Sequence, residues 1–251
     1  METGREGGTS LIQIPGRAGA SRGLTGVFAR PAGTGPWPGV VMVHEAFGVG
    51  DIMRRQAERL AAAGYLVLMP DLFTEGGARK CLVATFRALM AGTGRAFVDI
   101  DSARDALLSR SDCTGRVGVI GFCMGGGFAL LVAGRGFDAA SVNYGRLPRD
   151  LGVLEGSCPI VASFGGADRS LAGAAGKLDT ALERHGVERD VKEYPEAGHA
   201  FLNDAESGPV LLRPLLSRVL GVGPDPVAAA DAWARIERFF AEHLAPDAAQ
   251  P

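Results

Sequence analysis

The sequence predicts an α/β protein with a doubly wound, mostly parallel sheet and an antiparallel N-terminal edge. Short, wholly apolar runs alternate with helical stretches, and continuous apolar strands are typical of a parallel sheet that helices cover on both faces. The chain has 251 residues, 47% hydrophobic and 22% charged, which suits one large α/β domain. We therefore predict a single domain over 10–244, with loose tails at 1–9 and 245–251.

Each strand is predicted from an apolar run, and each helix from its ends. Residues 11–14 and 24–30 nearly alternate between apolar and polar side chains, which predicts the antiparallel pair at the sheet edge. Buried strands are predicted at 40–43, 65–69, 117–120, 139–142, 160–164 and 190–194. Helices are predicted at 52–63, 171–185 and 226–244.

Charge and cysteine content narrow the classes of function. Lys and Arg total 26, Asp and Glu total 28, and the net charge is -2, which offers no basic field for nucleic acid or an anionic membrane. No apolar run approaches the length of a membrane span, and the charged N-terminus has no apolar signal core, so we expect a cytoplasmic protein. The chain has four cysteines, and no two of them have C-x-x-C spacing. We therefore expect neither a disulfide framework nor a zinc site.

The segment 117–127, Val-Gly-Val-Ile-Gly-Phe-Cys-Met-Gly-Gly-Gly, carries the strongest chemical signal. An apolar strand, Gly-x-Cys-x-Gly and a helix follow one another, which is the pattern of a nucleophile elbow with Cys123 as nucleophile. The flanking glycines are needed because the nucleophile occupies a strained turn. The turn would place the thiol at a helix N-terminus, where the helix dipole favours a thiolate. The alternative is a glycine-rich turn with an incidental buried cysteine.

A thiol nucleophile requires a base and an acid that orients the base. Among the four histidines, His199 lies in a loop after the last predicted strand, where this architecture needs its base. His44 begins a His-Glu string, but the second histidine of a zinc-protease helix is absent because position 48 is glycine. Asp168 either orients the imidazole or caps the next helix. The chain order Cys123, Asp168, His199 is the nucleophile-acid-base order of α/β-hydrolases.

Together these motifs resemble the dienelactone hydrolase family of α/β-hydrolases. The resemblance runs from about Gly26 to His199. It rests on the elbow, on His-Glu-Ala-Phe-Gly at 44–48, on 65–72, on Asn-Tyr-Gly at 143–145 and on Tyr-Pro-Glu-Ala-Gly-His at 194–199. It implies an α/β-hydrolase fold, and the short connection from 145 to 157 leaves no room for a cap domain. It also implies cleavage of a small activated ester or enol lactone through a thioester intermediate.

The resemblance also implies roles for individual residues. Cys123, Asp168 and His199 would form the triad, and Glu45 would contact the thiol. The backbone N–H groups of Met124 and Ala46 would form the oxyanion hole. The candidate substrate contacts are Tyr144, Phe47 and Asn203. No metal and no cofactor is expected.

The chain departs from the family pattern at the substrate carboxylate. Dienelactone hydrolases carry a clamp arginine four residues after the catalytic histidine, whereas position 203 here is asparagine. Candidates for another clamp cation are Arg79, Lys80 and Arg87. We therefore expect weak discrimination between an anionic lactone and its neutral ester analogue. The segment 207–223 is longer than usual, and its apolar residues suggest a short amphipathic helix.

Two other functions stay open at this stage. One is a general esterase or thioesterase for small esters, with no role for lactones. The other is a non-catalytic binding module on the same fold. In each case the expected partner is a small molecule, with no nucleic acid and no membrane, and the chain would be a monomer or a homodimer.

Overall fold

All the predicted strands form, and they belong to one mixed sheet. A computed structural model describes residues 8–206 and 223–245 of the chain. Its strands are β1 Thr9–Gln13, β2 Thr25–Ala29, β3 Trp37–Val43, β4 Leu66–Pro70, β5 Cys113–Phe122, β6 Ala140–Asn143, β7 Ile160–Gly165 and β8 Arg189–Tyr194. They form an eight-stranded sheet in the order β1-β2-β4-β3-β5-β6-β7-β8.

The pairing directions confirm the predicted fold class. β2 is antiparallel to both β1 and β4, with Thr9 opposite Ala29 and Gly26 opposite Pro70. The pairs β3–β4, β5–β6, β6–β7 and β7–β8 are parallel. The connection from β6 to β7 contains one 3-10 turn, Leu151–Leu154, and no cap domain occurs among the described residues. The antiparallel N-terminal edge and the doubly wound parallel sheet are both present.

The helices include two that the sequence patterns did not predict. In chain order they are α1 Asp51–Ala62, α2 Ala78–Ala91, α3 Arg95–Leu108, α4 Met124–Val132, α5 Ala174–Arg184 and α6 Pro226–His243. The unpredicted helices are α2 and α3. The prediction for α5 was wrong at its start, because a 3-10 turn at Arg169–Leu171 precedes it and Gly173 adopts a left-handed φ of 71°.

Residue contacts divide the chain into two compact units. The first comprises the described parts of 1–42, 48–118 and 244–251. All residues of β4 are buried there, and α1 buries Met53, Ala57 and Leu60 along one face. In α3, the buried carboxylate of Asp99 accepts hydrogen bonds from the backbone N–H and the hydroxyl of Ser21, each at 2.7 Å.

The second unit comprises 43–47 and the described parts of 119–243. Every residue of β7 is buried, and α6 contributes the buried Trp233, whose ring centroid lies 6.1 Å from that of Phe122. The buried Arg235 of α6 binds Asp190 of β8 at 2.8 Å and the Ser163 hydroxyl of β7 at 3.1 Å. These bonds join α6 to two neighbouring strands.

No single described helix is long and apolar enough to cross a membrane. Helices α2 and α3, bent by 85° at their junction, meet the length and composition requirement only as a pair. In α3 the apolar residues Phe97, Ile100 and Leu107 are buried, as in a core helix.

Three sequence-based interpretations are not tested by the described residues. The suggested amphipathic helix in 207–223 lies outside them up to residue 222. The predicted tails, 1–9 and 245–251, lie almost wholly outside them, and β1 begins at Thr9. The single-domain organisation over 10–244 stays a prediction.

Candidate active site

Cys123 occupies a sharp turn between β5 and α4. Its φ of 56° and ψ of -115° place it in a region that a residue other than glycine rarely adopts. The Cys123 N–H donates to the Asn143 carbonyl at 3.0 Å, and the Cys123 carbonyl accepts from the Gly127 N–H at 3.2 Å. Cys123 is therefore partly exposed at the N-terminus of α4, and its backbone is hydrogen-bonded to Asn143, the last residue of β6.

The glycines on either side of Cys123 are required by close backbone approach. A Cβ atom at Gly121 would lie 1.9 Å from the Gly125 carbonyl oxygen. A Cβ atom at Gly125 would lie 2.1 Å from the Val43 carbonyl oxygen. Both distances are far shorter than any real contact. The Gly-x-Cys-x-Gly pattern therefore has the steric basis expected of a nucleophile elbow.

Two loops that follow β7 and β8 pack closely and bring Asp168 to His199. The Gly166 N–H donates to the Tyr194 carbonyl at 2.8 Å, and the Ala167 N–H donates to the Ala197 carbonyl at 3.0 Å. This approach needs a glycine at position 165, where a Cβ atom would lie 2.5 Å from the Ala197 carbonyl oxygen. The residue after His199, Ala200, has a left-handed φ of 62°. The histidine is thus held in a strained, fixed loop.

Asp168 and His199 form a hydrogen-bonded pair, and the Cys123 side chain interacts with the same imidazole. His199 Nδ1 lies 2.6 Å from Asp168 Oδ2. The other carboxylate oxygen of Asp168 accepts from the Ser170 N–H at 3.0 Å and the Ser170 hydroxyl at 2.6 Å. Asp168 is fully buried, and the His199 side chain is 15% exposed. Asp168 thus contacts the imidazole and also caps the 3-10 turn Arg169–Leu171.

Interactions with Asp168 and Cys123 favour the protonated form of the His199 imidazole. Burial alone would lower the pKa of His199, but the hydrogen bonds and charges of Asp168 and Cys123 outweigh it and raise that pKa to about 10. Burial likewise opposes ionisation of Asp168, yet its hydrogen bonds to His199 and Ser170 hold its pKa below the ordinary value. A carboxylate and an imidazolium therefore lie side by side at neutral pH.

Glu45 lies buried within the same compact unit, after the end of β3. Its Oε2 accepts a hydrogen bond from Asn203 Nδ2 at 3.3 Å, and both residues are buried. The neighbouring His44 is fully buried, and its Nδ1 lies 2.7 Å from the Glu45 backbone carbonyl oxygen. Asn203 therefore faces Glu45, while its own Oδ1 is buried without a partner among the described residues.

Tyr144 lies against the imidazole at the end of β6. Its ring centroid is 5.2 Å from that of His199, and its φ of 42° is left-handed. Burial first, and then the charges of Glu45 and Cys123, raise the pKa of Tyr144 well above its ordinary value. Its buried hydroxyl oxygen has no hydrogen-bond partner among the described residues. A neutral phenol with an unused donor thus lies near the thiol.

The remaining predicted site residues differ in placement. The Met124 N–H belongs to the first turn of α4, which leaves it without a helical partner. Ala46 is partly exposed, and Phe47 is 46% exposed. The proposed clamp cations all lie exposed on α2, in the first unit: Arg79, Lys80 and Arg87.

Two residues that support this site were not predicted from the sequence. The backbone N–H and the hydroxyl of Ser170 both donate to Asp168. The spacing Asp-Arg-Ser is a local signal that could have predicted these hydrogen bonds. The side-chain amide of Asn143 donates to the Gly121 carbonyl at 3.2 Å and lies 3.1 Å from the Ser141 hydroxyl. Its contacts depend on strand pairing, so nothing local predicts them.

A parallel sheet with a nucleophile elbow and a histidine-carboxylate pair at strand ends defines an α/β-hydrolase. The model of the dienelactone hydrolase family matches residues 24–244, and the chain belongs to that family. The chain is therefore a carboxylic ester hydrolase, and the family resemblance in the sequence is confirmed.

Individual relatives agree with the family assignment. A protein of Methylorubrum extorquens, provisionally named a carboxymethylenebutenolidase, is 30% identical over 77% of this chain and 72% of its own length. A carboxymethylenebutenolidase of Pseudomonas putida is 30% identical over 69% of this chain and 78% of its own. The solved structure of a dienelactone hydrolase-like promiscuous phosphotriesterase from metagenomic libraries has a TM-score of 0.76 and 25% identity, covering 94% of this chain and 99% of that chain.

Proposed function

We propose that this protein hydrolyses a small activated ester or an enol lactone, with Cys123 as nucleophile and a thioester as intermediate. The observation that carries the proposal is the Asp168–His199 hydrogen bond, together with the interaction of that imidazole with the Cys123 side chain. An imidazolium whose pKa is about 10, held against a thiol at a helix N-terminus, is the setting that stabilises a reactive thiolate.

In the first half of the reaction the Cys123 thiolate attacks the carbonyl carbon. A carbon-sulfur bond forms, and the negative charge moves to the carbonyl oxygen. The N–H groups of Met124 and Ala46 are proposed to bind that oxyanion, an effect worth about 3 kcal/mol for each donor. The carbon-oxygen bond then breaks, and the leaving oxygen takes the proton from His199.

In the second half His199 acts as the base. Once the sulfur is acylated it carries no charge, so the contribution of Cys123 to the raised pKa of His199 disappears. The neutral imidazole can then take a proton from water as the water attacks the thioester. The carbon-sulfur bond breaks, the acid is released, and the thiolate and imidazolium are restored. Asp168 keeps Nδ1 of the ring protonated throughout.

Glu45 and Tyr144 are proposed to complete the polar surroundings of the thiol. Asn203 holds the Glu45 carboxylate through its amide. The unused phenol of Tyr144 provides a neutral donor near the sulfur. We propose Tyr144 and the exposed Phe47 as substrate contacts. The side-chain amide of Asn203, in contrast, donates its hydrogen bond to the Glu45 carboxylate.

The choice of cysteine restricts the substrate. A thiol has a pKa of about 8.5, so a thiolate leaves a tetrahedral adduct more readily than an ordinary alkoxide does. Adducts of plain alkyl esters would therefore revert to substrate. Enol and phenol leaving groups compete with the thiolate, which favours enol lactones and aryl esters. A general aryl esterase or thioesterase is the alternative that this chemistry leaves open.

A panel of enol lactones, aryl esters, alkyl esters and thioesters, assayed with the purified protein, tests the proposal. We expect kcat/KM for enol lactones and aryl esters to exceed that for matched alkyl esters by at least about a hundredfold. Equal values for alkyl and aryl esters of one acid would contradict the leaving-group argument. A non-catalytic module would hydrolyse none of them.

The charge of the substrate provides a second test. Asn203 cannot form the bidentate ion pair that a guanidinium makes with a carboxylate, and its amide already binds Glu45. We expect less than about a hundredfold preference for an anionic lactone over its neutral ester analogue at low salt. A larger preference that high salt abolishes would reveal a cationic clamp.

The four cysteines have no disulfide bonds, which suits a reducing compartment. We therefore retain the cytoplasm as the proposed location.

A further inference from the structure

A groove with a volume of about 920 Å³ lies on the second unit, between α5 and the loop that carries the 3-10 turn Leu151–Leu154. None of the candidate active-site residues lines it. The side chains that do line it include four that carry or can carry a positive charge. These are Arg149 from the loop, Lys177 and Arg184 from α5, and His185 at the C-terminal cap of that helix.

These four side chains have no hydrogen-bond or ion-pair partner within 8–206 and 223–245. The acidic residues of α5 are committed elsewhere, because Asp179 and Glu183 bind Arg189 at 2.8 and 3.1 Å. One acid lines the groove, Asp150, and its Oδ1 accepts the Gly152 N–H at 2.9 Å. The groove therefore holds an excess of cations whose counter-ions the described residues do not supply.

The spacing of the cations suits an extended ligand. Lys177, Ala181 and Arg184 follow one face of α5 at intervals of four and three residues. With a rise of 1.5 Å for each residue, the two cations lie about 10 Å apart along the helix axis. Cβ atoms at Gly173 and Gly176 would meet nothing within 4 Å, so these lining positions leave open space.

The excess of cations is not a consequence of a basic protein, since the net charge of the chain is -2. Like charges that share a groove repel each other, and an anion would relieve that repulsion. Guanidinium groups bind phosphate and carboxylate in a bidentate manner, which fits Arg149 and Arg184. We propose that this groove binds a small organic anion that carries at least two phosphate or carboxylate groups.

Calorimetric titration of the full chain at low ionic strength tests the proposal, with sodium pyrophosphate as the phosphate probe and sodium citrate as the carboxylate probe. We expect saturable binding of at least one probe, and the tighter of the two identifies the preferred group. Arg149→Gln and Arg184→Gln should each weaken that binding at least about fivefold. Arg22→Gln is the matched control, because Arg22 is an exposed arginine outside the groove and outside the candidate active site.

Two results would overturn the proposal. One is the absence of saturable binding of either probe to the wild type. The other is an equal loss of affinity in Arg22→Gln and in the groove variants, which would indicate binding by general surface charge. The unfolding temperatures of the variants without probe should match the wild type, since the replaced side chains have no described protein partner. Hydrolysis of an aryl ester by the same variants should be unchanged, which separates this site from the proposed reaction.

Discussion

Cys123 and His199 are coupled at the scale of single residues. Burial lowers the pKa of the imidazole, but the interactions with Asp168 and with Cys123 outweigh it and raise that pKa to about 10. Because acylation would consume the thiol in the proposed reaction, the same histidine could serve first as an acid and later as a base. The pair therefore accounts for both halves of the proposed reaction.

Replacement of Cys123 by alanine should lower kcat for an aryl ester at least about a thousandfold, because no other group can form the thioester. Cys158→Ala is the matched control within the same unit. Burial, together with the charge of Asp138, raises the pKa of Cys158 to about 12, so that thiol is unreactive at neutral pH. Steady-state assays of both variants decide the point. Similar turnover by the wild type and Cys123→Ala would contradict the mechanism.

The pKa of His199 is itself measurable by NMR titration of the imidazole. We expect about 10 in the wild type and a lower value in Cys123→Ala, where one of the causes is removed. Folding raises this pKa from 6.5, so the interaction stabilises the fold fully below pH 6.5 and is lost as pH rises through about 10. An unchanged His199 pKa in the variant would show that the thiol does not contact the ring.

At this scale the sequence identified the residues of the proposed reaction but not their supports. Cys123 and His199 were found because a nucleophile elbow and a Tyr-Pro-x-Ala-Gly-His string are local patterns. Asn143 and the orphaned phenol of Tyr144 could not be assigned, because their roles depend on which strands pair and what becomes buried.

At the scale of elements, the turn from β5 into α4 depends on glycine. A Cβ atom at Gly125 would collide with the Val43 carbonyl, whereas a Cβ atom at Gly134, just beyond α4, would lie 3.9 Å from the Ser157 hydroxyl. We expect Gly125→Ala to lower the free energy of unfolding by about 3 kcal/mol and to impair activity.

Gly134→Ala is the control and should stay within about 0.5 kcal/mol of the wild type. Urea unfolding of both variants measures the difference. Equal stability of the two variants would mean that the elbow tolerates a side chain, contrary to its geometry.

The strands could be predicted because buried parallel strands are short, continuous apolar runs. α2 could not, because its apolar residues do not form one stripe. Cys81 and Leu89 are buried, whereas Val83 is 58% and Met90 46% exposed. The start of α5 was misplaced because a 3-10 turn that caps on Asp168 intervenes. This turn depends on the cap that Asp168 provides, and the periodicity of apolar residues gives no signal for it.

At the scale of the whole molecule, the buried Arg235 links α6 to the sheet of the second unit. Asp190 is its counter-ion, and the Ser163 and Tyr194 hydroxyls also bind it. Asp190→Ala would leave a buried guanidinium without its counter-ion. We expect a loss of about 3 kcal/mol in the free energy of unfolding, because the neutral partners remain.

Asp179→Ala serves as the control for that experiment. It removes a partner of Arg189, and the Asp179 side chain is 48% exposed. Exposed ion pairs contribute little, so the loss should be clearly smaller. Chemical unfolding of the two variants compares them, and a larger loss for Asp179→Ala would refute the role assigned to Arg235.

The central claim is that the ester bond is broken through a thioester on Cys123, and rapid-quench mass spectrometry tests it most directly. The wild type is mixed with 4-nitrophenyl acetate, quenched in acid during the first turnover and analysed intact and after digestion. We expect a gain of one acetyl group, located on the peptide that contains Cys123 and removed by hydroxylamine. Release of 4-nitrophenol with the acetyl group on another residue, or at an undiminished rate in Cys123→Ala, would contradict it.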